Sequence, residues 1–190
     1  MSSRASRQLG LIAVVASAAA LLEAHGYGMP SGQDKSGPRY TFADGRVSFA
    51  APPGFTPLTA EELAQKFPAG SGPRQAVGNA RRTTTIAYDL LNQRAPSTDL
   101  EAARKTFAGI YERAFPALKW VAREVRRLGD REWAYLEFTA PAADQEIHNI
   151  VMVSIYDGRV LMFNFNSTVK EFPSVERALR ASIATIAASP

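Results

Sequence analysis

Small and apolar residues run without a charge from Leu9 to Leu22, and only later does hydrophobicity become periodic. The run follows Arg4 and Arg7 and leads into Glu23-Ala24-His25-Gly26. A basic start, a short apolar middle and small residues at the end are the pattern of a secretory leader. Fourteen helical residues rise about 21 Å, short of the roughly 30 Å hydrocarbon core, so no permanent membrane anchor is expected. Residues 1–26 are read as a signal peptide, and residues 27–38, rich in Gly, Pro and Ser without periodicity, as a flexible tether. A single domain is expected over 39–190.

Within that domain the period alternates between two and about 3.6. Tyr40-Thr41-Phe42 and Val47-Ser48-Phe49 alternate around Asp44-Gly45, which predicts a hairpin. Thr59-Ala60-Glu61-Glu62 is a capping box launching a short helix that Pro68 stops. Residues 68–82 hold Pro and Gly with no sustained apolar pattern, and a long loop is expected there. Thr83–Leu90 reads as a strand. After capping residues at Thr98-Asp99-Leu100-Glu101, apolar side chains from Leu100 to Phe115 recur at helical spacing until Pro116. Four strands follow, Trp120–Leu128, Arg131–Thr139, Ile147–Tyr156 and Arg159–Asn166, and their short turns imply antiparallel pairing. A helix starting at Pro173 closes the chain. The expected class is α+β: an antiparallel sheet of about six to seven strands flanked by helices.

Composition narrows the chemistry. Of 190 residues, 46% are hydrophobic and 21% charged, which is globular rather than disordered. Cysteine is absent, so disulfides, thiolate catalysis, Cys-ligated metals and a lipid-bearing cysteine are excluded. Next to an export leader, that absence fits a bacterial periplasmic protein, with secretion as second choice, whose core holds without staples. Net charge is +4; removing residues 1–24 deletes Arg4, Arg7 and Glu23, giving 4 − 2 + 1 = +3. So small an excess argues against nucleic acid as a partner.

Candidate sites are few. The histidines are His25 and His148, and the second lies at a strand entry near Asp144 and Glu146, where it would serve a hydrolase or metal site. No nucleophile elbow, dinucleotide fingerprint, phosphate loop or metal-ligand spacing accompanies it, so neither cofactor nor metal is implied. Asn164 and Asn166 alternate with Phe163 and Phe165, placing the asparagines on one face; Asn164 joins His148 as a candidate polar-pocket residue. Arg123, Arg126, Arg127 and Arg131 surround one hairpin, and Arg81 and Arg82 end the long loop. If those faces meet, they form a surface for an acidic protein partner; the competing reading is a solvated strand face with cross-strand ion pairs. Trp133 and Trp120 are expected to fill core.

The order of elements, with Arg46-Val47-Ser48-Phe49 running into Pro52-Pro53-Gly54-Phe55, the capped helix after Thr98, the Leu128–Ala134 hairpin, Asp157-Gly158-Arg159-Val160-Leu161 and the closing helix, resembles the Mog1/PsbP-like fold over residues 39–188. The resemblance implies helices packed on an antiparallel sheet and a role in binding or assisting macromolecules rather than catalysis. One version of a binding role is an immunity or chaperone-like factor that captures another exported protein. It transfers no functional residue to this chain.

Overall fold

The computed structural model describes residues 37–67, 72–142 and 145–189. In chain order they form β1 (Arg39–Phe42), β2 (Val47–Ala50), β3 (Thr56–Pro57), α1 (Ala60–Lys66), β4 (Gln75–Gly78), β5 (Thr84–Arg94) and α2 (Leu100–Ala114). There follow β6 (Lys119–Leu128), β7 (Arg131–Ala142), β8 (Gln145–Tyr156), β9 (Arg159–Thr168), α3 (Phe172–Ala184) and β10 (Ala187–Ala188). The expected leader and nearly all of the tether lie outside the described residues.

One antiparallel sheet of seven strands, ordered β3-β4-β5-β9-β8-β7-β6, forms the body. The β6 to β9 meander follows from its turns. Asp157 and Gly158 both take positive φ, 51° and 67°, the two-residue arrangement that matches strand twist between β8 and β9. Both faces of the central strands are buried, so β8 and β9 read as nearly continuous apolar runs rather than clean alternation. On one face α2 packs across β6, β7 and β8 through Ala108 and Tyr111 against Leu136, Phe138 and Val151. Beside it α1 sets Leu63 and Phe67 over Ala76 and Ala87 of β4 and β5. On the other face α3 buries Leu179 and Ile183 with Phe49, Tyr88, Trp133 and Phe163. Helices thus cover an antiparallel sheet, the expected α+β sandwich.

Three details depart from expectation. The opening hairpin does not join the main sheet: β1 and β2 pair with β10 in a three-stranded sheet of their own, which places Phe42, Val47 and Phe49 in the core on the α3 side. The 68–82 segment is not wholly loop, because Gln75–Gly78 pairs with Thr85–Tyr88. Four residues are too few to show a period, and the pairing comes from the partner strand. Finally, Asp99 rather than Thr98 caps α2, its carboxylate accepting from the backbone N–H groups of Glu101 and Ala102.

Candidate functional site

One polar constellation joins the sheet to α3. Tyr135 and Glu137 lie two apart on β7 and share its α3 face, and the β7–β8 register sets His148 diagonally across from Glu137. His148 Nε2 is 2.8 Å from Glu137 Oε1, the Tyr135 hydroxyl donates to Oε2 at 2.5 Å, and Arg180 of α3 donates to Oε1 at 2.8 Å. Arg180 also donates to the Tyr135 hydroxyl at 2.9 Å and to Glu176 at 2.8 Å. Phe172, at the start of α3, stacks on the imidazole with ring centroids 3.5 Å apart. The Glu137 side chain is only 5% exposed. Burial pushes its pKa up, but hydrogen bonds from His148, Tyr135 and Arg180 and the Arg180 charge outweigh burial and hold it at about 2. Burial and the bond to Glu137 together push the Tyr135 hydroxyl up to about 12. Glu137 is therefore an ionised carboxylate with both oxygens engaged, which suits it to fastening α3 on the sheet rather than accepting a substrate proton.

His148 lies in a buried strand position, not at an open strand entry. Its carboxylate partner is Glu137; Glu146 instead accepts from Thr139 at 2.8 Å, and Asp144 lies outside the described residues. His148 and Asn164 do not share a pocket. Asn164 pairs with Val151 and His148 with Ser167, an odd offset along both strands that sends the two side chains to opposite faces. Among the described residues no group of three or more His, Cys, Asp or Glu could hold a metal ion.

The arginines do not form one patch. Arg126 and Arg131 fall on the α3 side with Trp133 and Tyr135, whereas Arg123 and Arg127 fall on the α2 side. Arg123 donates to Glu112 at 3.0 Å and sits over Trp120; Arg126 pairs with Glu124 and lies 3.6 Å over the Tyr135 ring. Arg127 and Arg131 donate to the carbonyls of Asp130 and Ile155. Arg81 and Arg82 belong to the β4–β5 turn, separated from β6 by β9, β8 and β7, a sideways distance of about 19 Å at ordinary strand spacing, and they lie at the opposite end of the sheet from the β6–β7 turn, since Thr84 is in register with Ser167, His148, Thr139 and Lys119. Arg82 is a clamp: it donates to carbonyls of Thr56, Pro57, Gly78 and Asn79 and to the Glu62 carboxylate, tying β3, α1 and the turn together. Arg81 pairs with Glu171 at 2.5 Å. Trp133 is core at 2% exposure, as expected, and Trp120 packs edge-on against Phe138.

Glu137, Tyr135 and Arg180 escaped the sequence reading. A glutamate between Leu136 and Phe138 in an otherwise apolar run is the available signal, since buried charges require partners. Arg180 gave none, because its spacing from Glu176 is that of an ordinary surface ion pair on a helix.

The architecture defines an α+β class in which one meander-rich antiparallel sheet is held between two helices on one side and a helix with a small sheet on the other. No protein-family model matches the sequence, and no curated protein matches it. Solved structures do match. Cyanobacterial PsbP (CyanoP) from Synechocystis is similar with a TM-score of 0.59 at 13% identity, over 85% of this chain and 98% of that one. LpqN, described as involved in cell envelope biogenesis of Mycobacterium tuberculosis, gives 0.54 at 13% identity over 76% of this chain and 83% of its own. A Mog1 mutant gives 0.53 at 13% identity over 80% and 95%. The chain has the Mog1/PsbP-like fold, and identities this low carry the fold alone.

Proposed function

We propose that the protein is an exported, non-catalytic accessory factor, placed in the periplasm by its leader, that binds an acidic extended segment of another protein along β6. The observation that carries this reading is the composition and placement of that strand. β6 ends the sheet, so among the described residues no strand pairs with its outer backbone groups. It carries Lys119, Arg123, Arg126 and Arg127 against Glu124, four cations and one acid, and its Val121 is 59% exposed. The arginines that fail to make a flat patch are spaced for a strand. A segment paired on β6 presents alternate side chains to Arg126 on one face and to Arg123 and Arg127 on the other. Positive charge along an edge repels basic strands and is desolvated without compensation by neutral ones, and so selects an acidic one. The present partners of these arginines are exposed, and such pairs are worth about 0–1 kcal/mol, so an incoming carboxylate displaces them at little cost.

The engagement of both Glu137 oxygens supports the non-catalytic half of the reading over a hydrolase or metal enzyme built on His148. Among the described residues no helix is long and apolar enough to cross a membrane. The test is a fluorescence-anisotropy titration with a labelled peptide of alternating Glu and Val. Saturable binding that weakens at least tenfold in Arg123→Glu/Arg127→Glu is expected. Binding that is absent, or that the double variant leaves unchanged, refutes the docking surface.

A further inference from the structure

At the end of the sheet that carries the β6–β7 and β8–β9 turns, four arginines converge. Arg131 begins β7, Arg159 begins β9 and Arg94 ends β5. Tyr156, the last residue of β8, is in register with Arg159, and Arg159 in turn with Arg94, so the three side chains leave the α3 face of the sheet in a row. Arg131 extends the row on the other side of Tyr156, its guanidinium 5.3 Å from the ring centroid. Arg46, from the β1–β2 turn, reaches the same ring at 5.5 Å. That ring is buried and held by a hydrogen bond from its hydroxyl to the Ser189 carbonyl. Gly158 makes room beside it, since a Cβ there would stand 3.3 Å from Arg94 Nη1.

Two cations directly opposite on neighbouring strands have Cβ atoms about 5 Å apart and repel, and Arg94 and Arg159 hold that arrangement. Among the described residues neither pairs with a carboxylate, and Arg131 donates to the Ile155 carbonyl instead. Asp157 alone reaches any of the four, 3.7 Å from Arg46 with a side chain that is 60% exposed; Asp44, Asp130 and Glu132, in or beside the neighbouring turns, pair with none of them. Four cations against one acid, two of them in direct opposition, leave a charge that nothing in the described fold answers.

We propose that this row binds a phosphoryl group, carried by a small molecule or by a lipid headgroup. A phosphate monoester brings close to two negative charges and three strong acceptor oxygens, so it answers two guanidinium forks at once, whereas a carboxylate answers one. Arg94 and Arg159 supply the forks, and Arg46 and Arg131, packed on Tyr156, add charge from the side. A neutral ligand leaves the repulsion in place and a cation adds to it. The site needs no cavity, because Arg94 is exposed and Arg46, Arg131 and Arg159 are half-buried at the surface.

The test follows the side-chain Nε–H resonances of Arg94 and Arg159 in the ¹⁵N-labelled full chain, at constant ionic strength, during titration with inorganic phosphate and with glycerol 3-phosphate. Co-sedimentation with phosphatidylcholine vesicles containing phosphatidic acid is measured alongside. Expected is saturable binding to at least one probe, weakened about tenfold or more in Arg94→Gln/Arg159→Gln, the loss of one charge-assisted hydrogen bond or more. Saturation by a soluble phosphate assigns a free phosphorylated molecule, and saturation by the vesicles alone a lipid headgroup. No saturation with any probe, shifts that chloride reproduces, or equal affinity in the double variant overturn the proposal. The repulsion has its own readout in the exposed single variant: Arg94→Gln is expected to melt no lower than wild type without phosphate and to gain less from added phosphate, and a variant that melts lower and gains as much overturns it. Neither arginine belongs to β6, so this site and the docking of an acidic segment there fail independently.

Discussion

Replacing Glu137 by Gln keeps the shape of the side chain and removes the charge that three donors share. With a native pKa of about 2 against an ordinary value of 4.5, the ionised form is favoured in the fold by about 3 kcal/mol at neutral pH. The sign follows from a depressed acid: the stabilisation is complete above pH 4.5 and is lost as pH falls toward 2. At pH 3 about 1 kcal/mol of it remains. Glu137→Gln is therefore expected to be about 3 kcal/mol less stable than wild type at pH 7, and the gap is expected to close to about 1 kcal/mol at pH 3. Urea unfolding followed by the fluorescence of Trp133, which is 2% exposed and packs on the same face as Glu137, measures both. A loss below 0.5 kcal/mol at pH 7, about the size of an ordinary surface substitution, or a loss that stays constant with pH, refutes the assignment of Glu137 as a buried ionised anchor.

Other consequences are independent of that cluster. Arg82→Ala removes the clamp on the carbonyls of Thr56, Pro57, Gly78 and Asn79; a loss of about 2 kcal/mol is expected, with hydrogen-exchange protection falling first at Gln75–Gly78 while β7 and β8 keep theirs. Gly158→Ala puts a Cβ on a residue at φ 67°, and a cost of about 1 kcal/mol in urea unfolding is expected, smaller for Gly158→Asn. Leu179→Ala empties a fully buried position under α3 and is expected to cost about 3 kcal/mol by the same assay.

How far these features can be read from the chain depends on whether their causes are local. The β6 to β9 meander is legible because Gly129-Asp130 and Asp157-Gly158 are turn chemistry between long strands, and α2 is legible from its apolar stripe and acidic cap. β4 is not, since Gln75–Gly78 owes its strand state to pairing with β5. Nor does the hairpin's departure from the main sheet show locally, because β10, which pairs with β2, lies 137 residues after Ala50 at Ala187. The same limit applies to sites. His148 stands out as one of two histidines, but its partners Glu137 and Arg180 come from another strand and from α3, and the fold alone brings them together. The arginines were visible as a cluster in sequence. Their division between two faces follows from the period of a strand, since the register runs unbroken from Ala122 to Leu128.

The edge of β6 is where the account of function is most exposed to test. A photo-crosslinking residue at Val121, in the full-length protein produced in its own cells, reports whatever pairs with that strand. A discrete crosslinked species whose partner peptide is acidic, and which disappears in Arg123→Glu/Arg127→Glu while the variant remains folded, is the predicted result. Crosslinks that are absent, or that form equally in the double variant, contradict it.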